Sequence, residues 1–274
     1  MRQSFFKKER LMKIITLVEN TSDGALRSVH GLSFYIETNE HKILFDLGPD
    51  STVFENAKKK NIDLGSVDTV IISHGHNDHG GALKEFLELN NHAKIYVQRS
   101  AFDKYYAKVL FFKIRIGLDA SLKDNPNVIL IDGNYKIDSE LYLFTADTKG
   151  RFRSEANDNL YSTDGRDAFR HEQSLLITEN KNVLIMGCGH SGVVNILERL
   201  DSHPDYCLGG FHLYNPANKK TVSDSQLSFV SGELTAYDDV AFYTCHCTGQ
   251  KAFDYLSSKH KNIKYIACGD ELDI

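Results

Sequence analysis

Short apolar runs set the rhythm of the chain. "MKIITLV" (12–18), "LSFYIET" (32–38) and "KILFDLG" (42–48) are rich in β-branched and aromatic residues, and each predicts a strand. The polar stretch between the last two reads as a hairpin turn. "VDTVIIS" (67–73) is almost wholly apolar, the pattern of a strand buried on both faces. "AKIYVQ" (93–98), "NVILIDG", "ELYLFTA", "QSLLITE", "KNVLIMGCG", "YCLGGFHL", "VAFYTCHC" and "IKYIACGD" extend the series to the end of the chain. Helical spacing occurs in "STVFENAKKKNI", "GALKEFLELN" (81–90), "SGVVNILERL" and "GQKAFDYLSSK". Strands dominate each half with helices between them. The expected class is therefore α/β, with sheets covered by helices rather than a helical bundle.

The rhythm weakens between about 100 and 170. "AFDKYYAKVLFFKIRIGL" is aromatic and basic, and "DTKGRFRSEANDNLYSTDGRDAF" is polar and loop-like. This region is expected to be an insertion or lid inside a single domain spanning 1–274, shaping the substrate pocket. Its basic and aromatic residues (104–115, with Arg151, Arg153 and Arg166) read better as a solvated face than as an anion-binding patch. The 274 residues suffice for a sizeable core. A formal net charge of -5 argues against a nucleic-acid partner. No apolar run is long enough to cross a bilayer, and residues 1–11 read as a charged tail rather than a signal peptide. Five cysteines without a framework spacing fit a reducing compartment. The expectation is a cytoplasmic protein with a small-molecule substrate and neither nucleic-acid nor membrane partners; the oligomeric state stays open.

The most informative stretch is "IISHGHNDHGG" (71–81), where His74, His76, Asp78 and His79 form H-x-H-x-D-H directly after the apolar strand. Imidazole suits zinc, iron and manganese, and carboxylate widens the range towards harder ions. One ion cannot easily take all four side chains from so short a loop. Positions one and three of an extended segment point one way, and positions five and six can serve a second centre. The spacing thus suggests two ions a few ångströms apart, sharing a water. The plainer alternative, that Asp78 caps the helix starting near Gly81, leaves the three histidines unexplained.

With H-x-H-x-D-H after an apolar strand, the sequence resembles the metallo-β-lactamase superfamily. That resemblance implies a four-layer αβ/βα sandwich with a metal site at one edge between two sheets. "ILFDLG" resembles the family's first motif, in which Asp46 supports the metal loop. "HGLSFYIE", "NVLIMGCGHSGVVNIL", "GGFHL" and "TCHCTG" further resemble the subgroup named after 7,8-dihydropterin-6-methyl-4-(β-D-ribofuranosyl)aminobenzene 5'-phosphate synthase. The family completes its site from loops after later strands. The candidates here are His190, with Gly189 and Gly192 beside it, and His246 in "TCHCTG". His212 in "GGFHL" could ligate, shuttle protons or bind phosphate. Cys188 stands where many relatives carry a bridging acid, either as a thiolate ligand or as a small buried residue. His171 is a reserve ligand. Cys245 and Cys247 bracket His246, but no second pair completes a zinc finger. His30, His41, His92, His203 and His260 are expected at the surface.

These readings combine into a metal-dependent hydrolase or transferase acting on a small, phosphorylated or pterin-like substrate through a metal-activated water. Zinc is the expected ion, at two sites, with manganese, iron or magnesium as alternatives. The metal ligands are His74, His76, Asp78, His79, His190 and His246, and the catalytic groups Asp78 and His212. Two rival readings are a di-iron redox protein needing a flavin partner and a non-catalytic ligand-binding protein.

Overall fold

The computed structural model describes residues 11–147 and 150–274. The charged tail predicted ahead of the first strand lies almost entirely outside the described residues. Two seven-stranded sheets carry the architecture. Across the first, the order is Glu271–Asp273, Lys13–Val18, Ser33–Glu37, Lys42–Phe45, Thr69–Ile71, Lys94–Gln98 and Val128–Ile131. Across the second it is Ile263–Tyr265, Ala241–Thr244, Tyr206–Gly209, Asn182–Ile185, Ser174–Thr178, Leu141–Phe144 and Tyr135–Lys136.

Alternation along each strand explains the layering. Ile14, Phe34, Ile36, Ile43, Phe45 and Ile71 of the first sheet meet Leu141, Leu143, Leu175, Ile177, Val183, Ile185 and Leu208 of the second. Their neighbours along the strands, Ile15, Leu17, Tyr35, Leu44 and Val70, face outwards instead. There they pack against Val53 and Ala57 of the helix Thr52–Lys59 and against Leu83 and Phe86 of the helix Leu83–Leu89. On the far side of the second sheet, Leu184, Cys207 and Phe242 meet Val193, Ile196, Leu227, Val230, Leu234, Ala252 and Leu256 from three further helices. Both faces of both sheets are therefore covered, and near-continuous apolar strands are the consequence. The result is the expected αβ/βα sandwich.

One helix differs from its sequence reading, and another has none. The helix expected over 81–90 starts at Leu83, and a separate turn of helix, Asn77–Gly80, precedes it. Asp78 lies inside that short turn, with His76 at its N-cap, so Asp78 does not cap the longer helix. The helix Asp224–Leu234 carries Leu227, Val230 and Leu234 on its buried side among serines and a glycine, a dilution that hides its periodicity.

Residues 100–170 supply Val128–Ile131 to the first sheet and Leu141–Phe144 to the second. They also form a small four-stranded sheet, ordered Gly165–Arg166, Leu160–Ser162, Tyr106–Val109 and Phe112–Arg115. Arg151 pairs with Glu198 and Glu233, and Arg153 and Arg166 with Asp158. Among the described residues no helix is long and apolar enough to cross a membrane.

Candidate metal centre

Strand direction gathers the chemistry at one edge. Lys42–Phe45, Thr69–Ile71 and Lys94–Gln98 run parallel, as do Asn182–Ile185, Tyr206–Gly209 and Ala241–Thr244. The loops after their C-terminal ends carry Asp46, the 74–79 loop, Cys188, His190, His212, His246 and Cys247. This is where open sheets with parallel strands place their ligands. Among non-glycine residues with left-handed backbone, four flank this edge: Asp46, Phe169, His212 and His246. Such strain persists only where the surroundings fix it, and it is commonest at functional sites.

Within the loop, His74 Nε2 faces His76 Nδ1 at 3.0 Å. His190 joins this pair, the three ligand atoms lying within 4.8 Å of one another. His79 Nε2 lies 3.3 Å from His246 Nε2, 3.2 Å from Cys188 Sγ and 3.7 Å from Asp78 Oδ2. Asp78 Oδ2 is 3.4 Å from His246 Nε2. The structure thus brings the six expected ligands into two adjoining clusters, His74–His76–His190 and Asp78–His79–His246, with Cys188 against His79.

His30, expected at the surface, is half-exposed but reaches over this second cluster, with Nε2 3.4 Å from Asp78 Oδ2. His260, expected at the surface too, is buried and bonded to Ser231 Oγ at 2.8 Å. His171, the reserve ligand, lies beside the first cluster, its ligand atom within 4.8 Å of those of His76 and Asp167. Its Nδ1 accepts the Gly75 N–H at 2.9 Å, and its Nε2 donates to Asp167 at 3.0 Å.

The far side of four of the rings is held. His79 Nδ1 donates to Asp46 at 2.6 Å, His74 Nδ1 meets Ser73 Oγ at 2.9 Å, His190 Nδ1 meets Asn157 Oδ1 at 2.8 Å, and His246 Nδ1 meets Asn20 Oδ1 at 2.9 Å. Such outer contacts fix ring orientation and leave Nε2 for an ion. Two buried acids hold the loops themselves. Glu172 accepts the N–H groups of His190 and Ser191, and Glu19 accepts that of His246. Neither acid, nor either asparagine, carries a signal in the sequence, because each acts across 18 residues or more.

Electrostatics and unmet valence both favour a cation. Burial, reinforced by the neighbouring histidines, holds His74 and His190 well below the ordinary imidazole range and His76 down to about 3. All three therefore present lone pairs, the state that ligates. Burial opposes charge on His79 as well, yet the Asp46 and Asp78 carboxylates outweigh it and raise its pKa to about 9. Burial also opposes ionisation of Asp78, but His79, His246 and His30 keep it well below the usual carboxylate range. Among the described residues, buried His76 Nε2, His190 Nε2 and both nitrogens of His212 have no hydrogen-bond partner. On a tetrahedral ion with Zn–N bonds of about 2.0–2.1 Å, two ligand nitrogens lie roughly 3.3 Å apart. The His79–His246 spacing is 3.3 Å. The residues present fit a divalent cation.

His30, His76, His190, His212 and His246 border a cavity of about 150 Å³, whose wall also includes Ala107, Ile116, Leu160, Asn159 and Asn215.

Comparison with known proteins agrees with this geometry. Residues 27–155 match the metallo-beta-lactamase superfamily. An uncharacterized protein of Methanocaldococcus jannaschii, MJ0448, is 31% identical over 249 residues, covering 88% of this chain and 92% of that one. The chain belongs to the metallo-beta-lactamase superfamily. Within it, the M. jannaschii 7,8-dihydropterin-6-methyl-4-(beta-D-ribofuranosyl)-aminobenzene-5'-phosphate synthase is 28% identical, over 91% of this chain and 92% of its own. The crystal structure of Tm1679, a metal-dependent hydrolase of the beta-lactamase superfamily, superposes with a TM-score of 0.80 at 27% identity, covering 96% of this chain and 99% of that one. The fold shared with Tm1679 is that of a metal-dependent hydrolase, and the clusters at its edge are candidate metal sites of the kind the superfamily uses.

Proposed function

We propose that this protein is a zinc-dependent hydrolase or transferase acting on a small phosphorylated substrate. One observation carries the reading. Buried His79 and His246 Nε2 face each other at 3.3 Å with their opposite nitrogens held by Asp46 and Asn20, and His74 Nε2 lies 3.0 Å from His76 Nδ1, an arrangement that a shared cation relieves. His74, His76 and His190 would hold one ion, and Asp78, His79 and His246 a second. Divalent ions there lower the pKa of water and polarise a phosphoryl or carbonyl oxygen.

The chain's own groups do the rest. Asp78, partly open to the cavity, accepts a proton from the attacking water. His212, with both nitrogens unpartnered at the cavity wall, donates a hydrogen bond to the leaving or charged oxygen. Among the described residues the wall has no Lys or Arg, so an anionic head would be met by the metal centre, His212, Asn159 and Asn215. The volume of about 150 Å³ suits a phosphate-sized head with the remainder of the molecule outside, below the ~300 Å³ at which drug-sized ligands are enclosed. Similarity to the pterin-phosphate synthase makes a phosphorylated, pterin-like molecule the first substrate to try.

The test is elemental analysis followed by turnover on phosphoesters, lactones and pterin phosphates. Zinc in the purified protein is expected, and His76→Ala should lose both metal and turnover with an unchanged circular dichroism spectrum. Full turnover after metal depletion would refute the reading, and iron with a visible absorption band would turn it towards redox chemistry.

A further inference from the structure

Three residues beside the His/Asp clusters remain without a role as a group: Cys188, His212 and Cys247. They come from three consecutive parallel strands of the second sheet, Asn182–Ile185, Tyr206–Gly209 and Ala241–Thr244, paired in continuous register. Each strand delivers one of them three or four residues beyond the register row Ile185, Leu208, Tyr243. All three are buried, at 3, 4 and 3% exposure, and all three border the same cavity. Their ligand atoms lie within 4.8 Å of one another.

We propose that Cys188, His212 and Cys247 form a further metal site, a two-thiolate, one-imidazole set for a zinc-like ion. Several independent features support it. Among the described residues neither buried His212 nitrogen has a hydrogen-bond partner, a costly arrangement unless something binds there. His212 reaches the position through left-handed backbone (φ 46°), a strain that ligation would repay. Cys247 Sγ occupies the space where residue 210 would carry its Cβ, so Gly210 is what lets the thiol approach. The loops are pinned as well: Phe211 N–H donates to Thr248 Oγ1 at 2.9 Å, and the Cys247 thiol donates to the Cys188 carbonyl at 3.2 Å.

Two thiolates and one imidazole select soft or borderline ions, and a set of this composition leaves the fourth tetrahedral position open. Since all three residues line the cavity, that position would be reached from it. Binding releases the two thiol protons to solvent. One His212 nitrogen suffices for ligation, and the other stays available to substrate. Cys188 Sγ, only 3.2 Å from His79 Nε2, sits between this site and the Asp78–His79–His246 cluster, placed to link them as a shared sulfur. The inference does not depend on the function proposed above.

Metal-stripped, reduced full-length protein titrated with Co²⁺ tests it, with zinc content measured in parallel. The wild type should develop near-ultraviolet sulfur-to-cobalt absorption. Cys247→Ser should bind one equivalent of zinc fewer and lose at least half of that absorption. His212→Gln should lose the same equivalent, which guards against a folding defect peculiar to one variant. His76→Ala should keep the absorption, even if the His/Asp clusters prove inert. An unchanged metal count in both Cys247→Ser and His212→Gln overturns the site.

Discussion

At the scale of single residues, the centre is built from pairs: a ring facing inwards and a partner behind it. Removing the partner should loosen the ion without deleting a ligand. Asp46→Asn keeps the volume but not the charge behind His79, and Asp46 also holds the Ser73 N–H and hydroxyl at 2.7 Å each. Zinc affinity should fall about 10–100-fold, measured by competition with a chelator. The inward-facing half of each pair was legible in the sequence where ligands are neighbours. H-x-H-x-D-H announces itself because four side chains share one loop. His30 gave no signal, since only the folding of its loop over Asp78 makes it relevant. Glu19, Glu172, Asn20 and Asn157 were invisible for a related reason. Their partners are backbone N–H groups and ring nitrogens far along the chain, and no spacing rule connects them.

At the scale of elements, strands were read better than helices. Alternating apolar residues with both faces covered leave an almost unbroken apolar run, whereas Asp224–Leu234 mixes its buried residues with serines. The helix Leu83–Leu89 offers a check on the packing. Phe86 is wholly buried against the first sheet, and Phe86→Ala should cost about 3–5 kcal/mol in urea denaturation while metal content stays normal.

The turn before Lys42–Phe45 offers a second check. His41 joins Asp68, which precedes a first-sheet strand, to Asp138, which precedes a second-sheet strand, at 2.9 and 2.8 Å. Partial burial lowers its pKa, but the two carboxylates outweigh that and raise it above the ordinary value. A raised folded pKa stabilises fully below the unfolded value of about 6.5 and is lost as pH climbs through the folded one. The melting-temperature gap between the wild type and His41→Gln should therefore be widest near pH 6 and shrink on the alkaline side.

At the scale of the whole molecule, an ion in the candidate centre would also fasten the two sheets together. Asp78 and His79 follow a first-sheet strand, and His246 follows a second-sheet strand. An ion held by all three binds only the closed sandwich. Chelation should lower the melting temperature, and at a free zinc concentration 100 times the dissociation constant the bound form gains about 2.7 kcal/mol. A melting temperature indifferent to chelator would mean that the clusters carry no ion. The layered fold was legible from the strands and from the family resemblance. What single residues could not tell was how residues 100–170 divide themselves among both large sheets and the cavity wall.

The contact between Asn20 and His246 spans 226 residues, and that between Glu19 and the His246 N–H spans 227. For a ribosome, this means that Glu19 and Asn20 wait for more than 220 further residues before their neighbour at the site exists. The loop 74–79 emerges early with three bare histidines and no means of closing around anything. Folding of the earlier sheet can run ahead during synthesis, but a nascent chain has only half a cage. Zinc captured at that stage would sit in an open set of ligands and exchange freely. Secure loading of an ion would therefore wait until the loop carrying His246 has emerged.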